Sequence, residues 1–230
     1  GLYSDMGKTK EAFDLNKQAY AIAEKNKTEN PRLFATICDN FASTFQDLGK
    51  YDEALPLYLK SVEIRKELFG DEHEDYLICL NNLGTLYQVK GDYQKALATF
   101  ETIANTRKKT LGENHPDYAL SLQNLAGVYD DMGNSDEAIN LLIKALDIRK
   151  KTVGENHPDY AFTLSNLATT YQSKGDFNKA LPLLQQVIEI RKKALGEEHQ
   201  LYAKSINNLG SFYSDIGDFK AALPLYLKSL

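Results

Sequence analysis

Residues 117–153, DYALSLQNLAGVYDDMGNSDEAINLLIKALDIRKKTV, hold two helical patterns with a break between them. In the first, Leu122, Leu125, Ala126 and Tyr129 recur at i, i+3, i+4 and i+7, which is one apolar face of a helix. Gly133 breaks that helix, and Asn134 or Ser135 is placed to cap the next. In the second, Ala138, Leu141, Leu142, Ala145, Leu146 and Ile148 form a wider apolar face. Arg149, Lys150 and Lys151 close it, cations suited to the negative end of a helix dipole. Gly154 then stops the helix, and Pro158 stands where a first helical turn tolerates proline.

The same pattern recurs every 42 residues. Gly7, Gly49, Gly91, Gly133, Gly175 and Gly217 keep that interval without an insertion, and so do His73, His115, His157 and His199. Five residues after each of those glycines stands an alanine, from Ala12 to Ala222. The chain of 230 residues is therefore five periods, 7–48, 49–90, 91–132, 133–174 and 175–216, with partial repeats 1–6 and 217–230. Each period is a helical hairpin with a one-sided core that must stack on its neighbours. One solenoid domain over 1–230 is expected. Both ends of the sequence fall inside a hairpin, which makes end-to-end self-association through uncapped repeats an expectation too.

The recurring residues resemble the tetratricopeptide repeat (TPR): Leu-Gly or Leu-Ala, Tyr three further on, then Gly, Ala and a large apolar residue. Here these are Leu83, Gly84, Tyr87, Gly91, Ala96 and Phe100, and again Leu209, Gly210, Tyr213, Gly217, Ala222 and Tyr226. Leu80, Leu122, Leu164 and Ile206 replace the family's tryptophan, so the chain has no Trp. The usual period is about 34 residues. The longer form, with its extended second helix and loop, is similar to kinesin light chains and to many bacterial regulatory proteins. The resemblance implies an all-α, right-handed α-solenoid (superhelix) of stacked helical hairpins, about five and a half repeats long. Residues 23–34 depart from the pattern, lacking the loop Gly and His, and Asn16 replaces the large apolar residue.

Composition narrows the function. With 27 basic and 32 acidic residues, net charge −5, nucleic acid is not an expected partner. No apolar run reaches the roughly 20 residues that span a bilayer, so no membrane partner is expected either. Two cysteines, Cys38 and Cys79, make no disulfide framework and point to a reducing cytoplasm. They fall at or beside core positions and read as small hydrophobes. The four histidines, one per repeat, stand too far apart to share one zinc ion and read as helix-start residues. Carboxylates are scattered, and every glycine ends a helix instead of cradling a phosphate. No enzyme, no metal and no cofactor are expected. Arg65, Arg107, Arg149 and Arg191, each followed by lysine, read as a solvated basic stripe offset by the acidic loops after it.

The most informative column is Asn40, Asn82, Asn124, Asn166 and Asn208. It points about 150° away from the core stripe of its helix. Asparagine costs a helix roughly 0.5 kcal/mol relative to alanine, so a recurring one invites a reason. On the same face lie Ser43, Thr85, Gly127, Thr169 and Ser211, then Gln46, Gln88, Asp130, Gln172 and Ser214. Most of these are neutral groups that both donate and accept hydrogen bonds. The TPR resemblance implies that this face lines a concave groove for peptides, and the kinesin light chain resemblance implies that the asparagines contact the peptide backbone. Rungs about 10 Å apart match about three residues of extended chain. Ile78, Leu120 and Phe162 offer apolar pockets on the same face. The groove-side Lys204 stands against Asp39, Asp47, Asp131 and Asp215 at the edge, a balance that disfavours an acidic tail as ligand.

The reading is a non-catalytic protein-interaction scaffold binding an extended peptide segment of a protein partner. Two alternatives are a regulatory or sensor TPR segment of a larger bacterial signalling or effector protein, and a self-stacking assembly module. A competing role for the asparagines is to bridge neighbouring helices and stitch the stack.

Overall fold

The computed structural model describes the backbone from Leu2 to Leu230 and the side chains from Glu11 onward; the side chains of the expected partial repeat 1–6 lie outside the described residues. Among the described residues there are eleven α-helices and no strand. The first helices of the hairpins are α2 (Pro31–Asp47), α4 (Glu74–Val89), α6 (Pro116–Asp131), α8 (Pro158–Ser173) and α10 (Gln200–Asp215). The second helices are α3 (Tyr51–Phe69), α5 (Tyr93–Leu111), α7 (Ser135–Thr152), α9 (Phe177–Leu195) and α11 (Phe219–Lys228), with α1 (Leu2–Lys25) in front. The chain is an α-solenoid of hairpins that falls into two compact units, Gly1–Thr106 and Arg107–Leu230, with the boundary inside α5. In the first unit α2 packs on α1 and α3, and α3 on α4; in the second, α6 packs on α7, α7 on α8, α8 on α9, α9 on α10 and α10 on α11.

The extra length of the period goes into the second helix: α3, α5 and α9 have 19 residues where α4, α6, α8 and α10 have 16. At the turn inside a hairpin, Gly133 adopts φ 79°, and the backbone N–H of Asn134 donates to the carbonyl of Tyr129 at 2.8 Å. That closure needs a left-handed residue, which glycine supplies without a Cβ penalty. Asn134 takes the cap position of α7 without a side-chain bond, and Ser135 Oγ donates instead to Asp130. Asp176 and Asp218, in the same position, do cap. α1 runs unbroken through Gly7, where the period places a helix break.

Between hairpins each histidine is the cap. Nδ1 of His73, His115, His157 and His199 accepts the backbone N–H two residues on, at 3.1 to 3.2 Å. Acceptance fixes that nitrogen as the unprotonated one. Where the helix interior must be thin, the recurring alanine serves: Ala54, Ala96, Ala138 and Ala180 are fully buried. Gly84 is thinner still, since a Cβ there would lie 3.0 Å from the Phe100 ring and 3.1 Å from Thr99 Cγ2.

The arginine series overturns the solvated-stripe reading. Arg107, Arg149 and Arg191 are only 4%, 6% and 2% exposed. Each arginine turns inward from the end of its second helix and ties down the first helix that follows. Arg65, Arg107 and Arg191 donate to the carbonyl ten residues on, those of Asp75, Asp117 and Leu201, at 3.1 to 3.3 Å. Arg149 reaches the Asp159 carboxylate, also ten residues on, at 2.9 Å. Buried hydroxyls fourteen residues on complete the seat, Ser121 Oγ at 3.2 Å from Arg107 and Ser205 Oγ at 2.8 Å from Arg191. Backward contacts hold the preceding first helix: Arg65 to Asp39 at 2.6 Å and Arg149 to Gln123 at 3.4 Å. The acidic loops pair with the neighbouring lysines, Lys108 with Glu113, Lys150 with Glu155 and Lys192 with Glu197, on the exposed side.

Two stability measurements follow. Gly84→Ala gains up to about 1 kcal/mol of helix propensity but overpacks a ring that is 1% exposed, which costs about 1–3 kcal/mol. A lower melting temperature is expected, recovered in Gly84→Ala/Phe100→Leu; an unchanged or raised value for the single variant contradicts this. Arg65→Met strands the Asp39 carboxylate, which is 13% exposed, and is expected to cost about 3–5 kcal/mol. In Arg65→Met/Asp39→Leu most of that loss should return, because an apolar pair replaces an orphaned charge. Urea denaturation followed by circular dichroism checks both, and a double variant no better than the single one refutes the pairing.

Candidate functional site

The sequence-derived site residues lie on the first helices, and each unit carries its own set. In the first unit, Asn40 and Ser43 on α2 are exposed, while Gln46 on α2 and Asn82, Thr85 and Gln88 on α4 are half-buried. Ile78, at the start of α4, is 48% exposed. Asn40, Ser43, Gln46, Asn82 and Thr85 come together around one cavity of about 280 Å³, walled also by Asp39 and by Tyr58 of α3. Neighbouring first helices thus contribute successive asparagines to one space. Thr85 Oγ1 donates to the carbonyl of Asn81 at 3.0 Å.

In the second unit, Asn124, Asn166 and Asn208 are half-buried on α6, α8 and α10. Phe162 is 44% exposed and Leu120 half-buried. Asn208 Nδ2 donates to Ser165 Oγ at 3.4 Å, from α10 to α8, so this one rung does stitch neighbouring helices. Gln172 Nε2 donates to Asp215 Oδ2 at 2.5 Å. Thr169 donates to the Ser165 carbonyl at 3.0 Å and is exposed, while Ser211 is half-buried. By contrast, Asn40, Asn82 and Asn166 have no side-chain hydrogen-bond partner among the described residues. Three of the five rungs therefore keep a free amide at the surface of the first helices.

A larger cavity, about 600 Å³, lies at the hairpin turns of the second unit, beside Asp130, Asp136, Glu137 and Lys174. Two of its three carboxylates already have partners: Asp136 pairs with Lys174, and Asp130 accepts from Ser135 and Thr170. Among the described residues no group of three His, Cys, Asp or Glu could hold a metal ion. No helix among them is long and apolar enough to cross a membrane.

Missed by the sequence reading were the polar residues that receive the arginines: Asp39 and Gln123, one position before an asparagine, and Ser121 and Ser205. In sequence the first two belong to the column Asp39, Asn81, Gln123 and Ser165, and the others to the column Cys79, Ser121, Thr163 and Ser205. Both columns are 42-residue series of small or polar residues on otherwise apolar helix faces, and a fixed Arg where Lys would cap as well is the matching signal. Cys79, in the same column, is a fully buried core residue, and its Sγ donates to the Tyr76 carbonyl at 3.1 Å.

The chain belongs to the tetratricopeptide repeat family. The family matches residues 33–105, 80–151, 131–193 and 159–230. Among solved structures, a protein of Podosopora anserina described as a kinesin light chain, with nearly identical TPR-like repeats, shares 30% identity, with 84% of this chain and 91% of that chain covered at TM-score 0.66. BtubC (BKLC) from P. vanneervenii has the same fold at 20% identity, TM-score 0.75, covering 96% of this chain and 89% of its own. MamA (41-end) from Desulfovibrio magneticus RS-1 shares the fold at 17% identity and TM-score 0.52, with 85% and 92% covered. No curated protein matches the sequence. TPR repeats generally mediate protein–protein interaction, and the family and its neighbours are typically non-catalytic scaffolds.

Burial pushes the Cys38 thiol up to about 11 and the Cys79 thiol up to about 12. At pH 8 about one thiol in a thousand or fewer is then a thiolate. The folded TPR chain should not react with Ellman's reagent within minutes, and two thiols should titrate in guanidinium. Rapid reaction of the folded chain contradicts the burial of these groups.

Proposed function

We propose that this TPR chain is a non-catalytic scaffold that holds an extended peptide segment of a protein partner along the asparagine face of its first helices. The observation that carries the reading is the state of the rungs. Asn40, Asn82 and Asn166 keep amides with no partner among the described residues, at a helix position where alanine is more stable. An amide that both donates and accepts matches the alternating N–H and C=O of an extended backbone, whatever the side chains of the peptide. Exposed Ile78 and Phe162 beside the rungs supply apolar contacts for alternate peptide side chains. Burial of the arginine series removes the cations an acidic segment would need, so strongly acidic partners are disfavoured.

The test uses dodecamer peptides recovered from a random display library on the intact chain. Asn40→Ala/Asn82→Ala/Asn166→Ala should melt at or above the wild-type temperature, since each change favours the helix by roughly 0.5 kcal/mol. Affinity for the recovered peptides should fall about tenfold or more, a loss of about 1.4 kcal/mol. Binding unchanged in the triple variant refutes the reading, as does a collapse of its melting temperature, which would make the asparagines structural.

A further inference from the structure

The cavity shared by Asn40 and Asn82 has a chemical bias. Its walls carry one anionic side chain, Asp39, and no Lys, Arg or His. The remaining polar groups are the Asn40 and Asn82 amides, the Gln46 amide and the hydroxyls of Ser43, Tyr58 and Thr85. Acceptors dominate. The Thr85 proton is committed to the Asn81 carbonyl. Gln46 Oε1 is enclosed and has no hydrogen-bond partner among the described residues. Asp39 pairs with Arg65 through Oδ2 at 2.6 Å, and burial raises its pKa from the ordinary carboxylate value, while its Oδ1 is enclosed with no hydrogen-bond partner among the described residues; Asp47, exposed, follows Gln46 by one residue. The phenol of Tyr58 responds to this field: burial, then the negative charges of Asp39 and Asp47, push it up to about 12. At about 280 Å³ the space lies below the 300–1,000 Å³ of small-molecule sites and suits one side chain.

We propose that this cavity is a side-chain pocket of the peptide face, selecting a lysine or arginine of the partner. The inference rests on the peptide-scaffold reading and names the partner chemistry of its first two rungs. An ammonium or guanidinium brings only donors, the complement of the two enclosed acceptors without a partner, Asp39 Oδ1 and Gln46 Oε1. Asp39 Oδ1 stays an acceptor whichever way the Gln46 amide is turned, and the amide oxygen adds the second partnerless acceptor. The aliphatic stem of the basic residue would leave past Ser43 and Asn40, which are exposed, while its backbone meets the asparagine rungs.

The same random dodecamer display on the intact chain tests this. Peptides recovered on the wild type should share a Lys or Arg at one position, and changing it to Gln in a synthetic peptide should weaken binding about tenfold. In Gln46→Lys, whose own ammonium fills the cavity, that change should alter affinity by less than about twofold, a double-mutant coupling between the two positions. Should Gln46→Lys fail to fold by circular dichroism, Gln46→Leu replaces it and should reduce the dependence on the basic residue about threefold. Peptides that need Asn40, Asn82 and Asn166 yet show no basic preference overturn the pocket and leave the peptide face standing. Peptides with a basic preference that survives both Gln46 variants also overturn the pocket. Recovery of no binding peptides overturns both.

Discussion

A guanidinium near the end of α3, α5, α7 and α9 has to be buried against polar groups of the first helices around it, and the geometry of those hairpins depends on that requirement. Arg65 shows it fully, holding Asp39 on α2 at 2.6 Å and the Asp75 carbonyl at the start of α4 at 3.2 Å. Arg149 does the same between Gln123 on α6 and Asp159 on α8. A buried cation tolerates little error in its surroundings. The loop between an arginine and its tenth-residue partner therefore has a fixed length, with glycine to end one helix and histidine to cap the next. From Arg65 to Arg191 this holds the 42-residue period without an insertion; the preceding period, with Ala23 in the arginine's place, keeps the same interval on its apolar packing.

The same constraint orders the first helix. Its apolar stripe meets the second helices, Asp39 and Gln123 in one column face the arginine seam, and the next column, the asparagines, is left at the surface. Consecutive residues on a helix differ by about 100°, so one step in sequence separates a buried structural polar group from a surface-facing one. Asn208 marks the overlap of the two roles, since its amide reaches back to Ser165. Its bond belongs to the stack, whereas the amides of Asn40, Asn82 and Asn166 remain available for a ligand.

Much of this was legible in the sequence. The period, the pairing of helices, the alanines at the crossings and the histidines at the helix starts all follow from spacing and local propensity, and the structure places them so. What spacing does not disclose is the direction of a long side chain. An arginine in the last turn of a helix suits the dipole in solvent or in a buried seat equally well. Only partners ten and fourteen residues on in sequence, brought close by the fold, decide it for Arg107 and Arg191. The asparagine column was legible as a pattern, and its partial exposure is visible in the structure. The enclosed oxygen of Gln46 and the charge at Asp39 become meaningful only once α2, α3 and α4 surround one space.

The stack thus uses one polar column to lock its hairpins and presents the adjacent one to a partner. A crystal structure of the chain bound to a display-selected peptide tests this division most directly. The account predicts an extended peptide on the first helices, with its backbone hydrogen-bonded to the side-chain amides of Asn40 and Asn82 or of Asn166, and the arginine seats unchanged. A peptide bound to the outer face of the second helices, or one whose binding draws the arginines out of their seats, would contradict it.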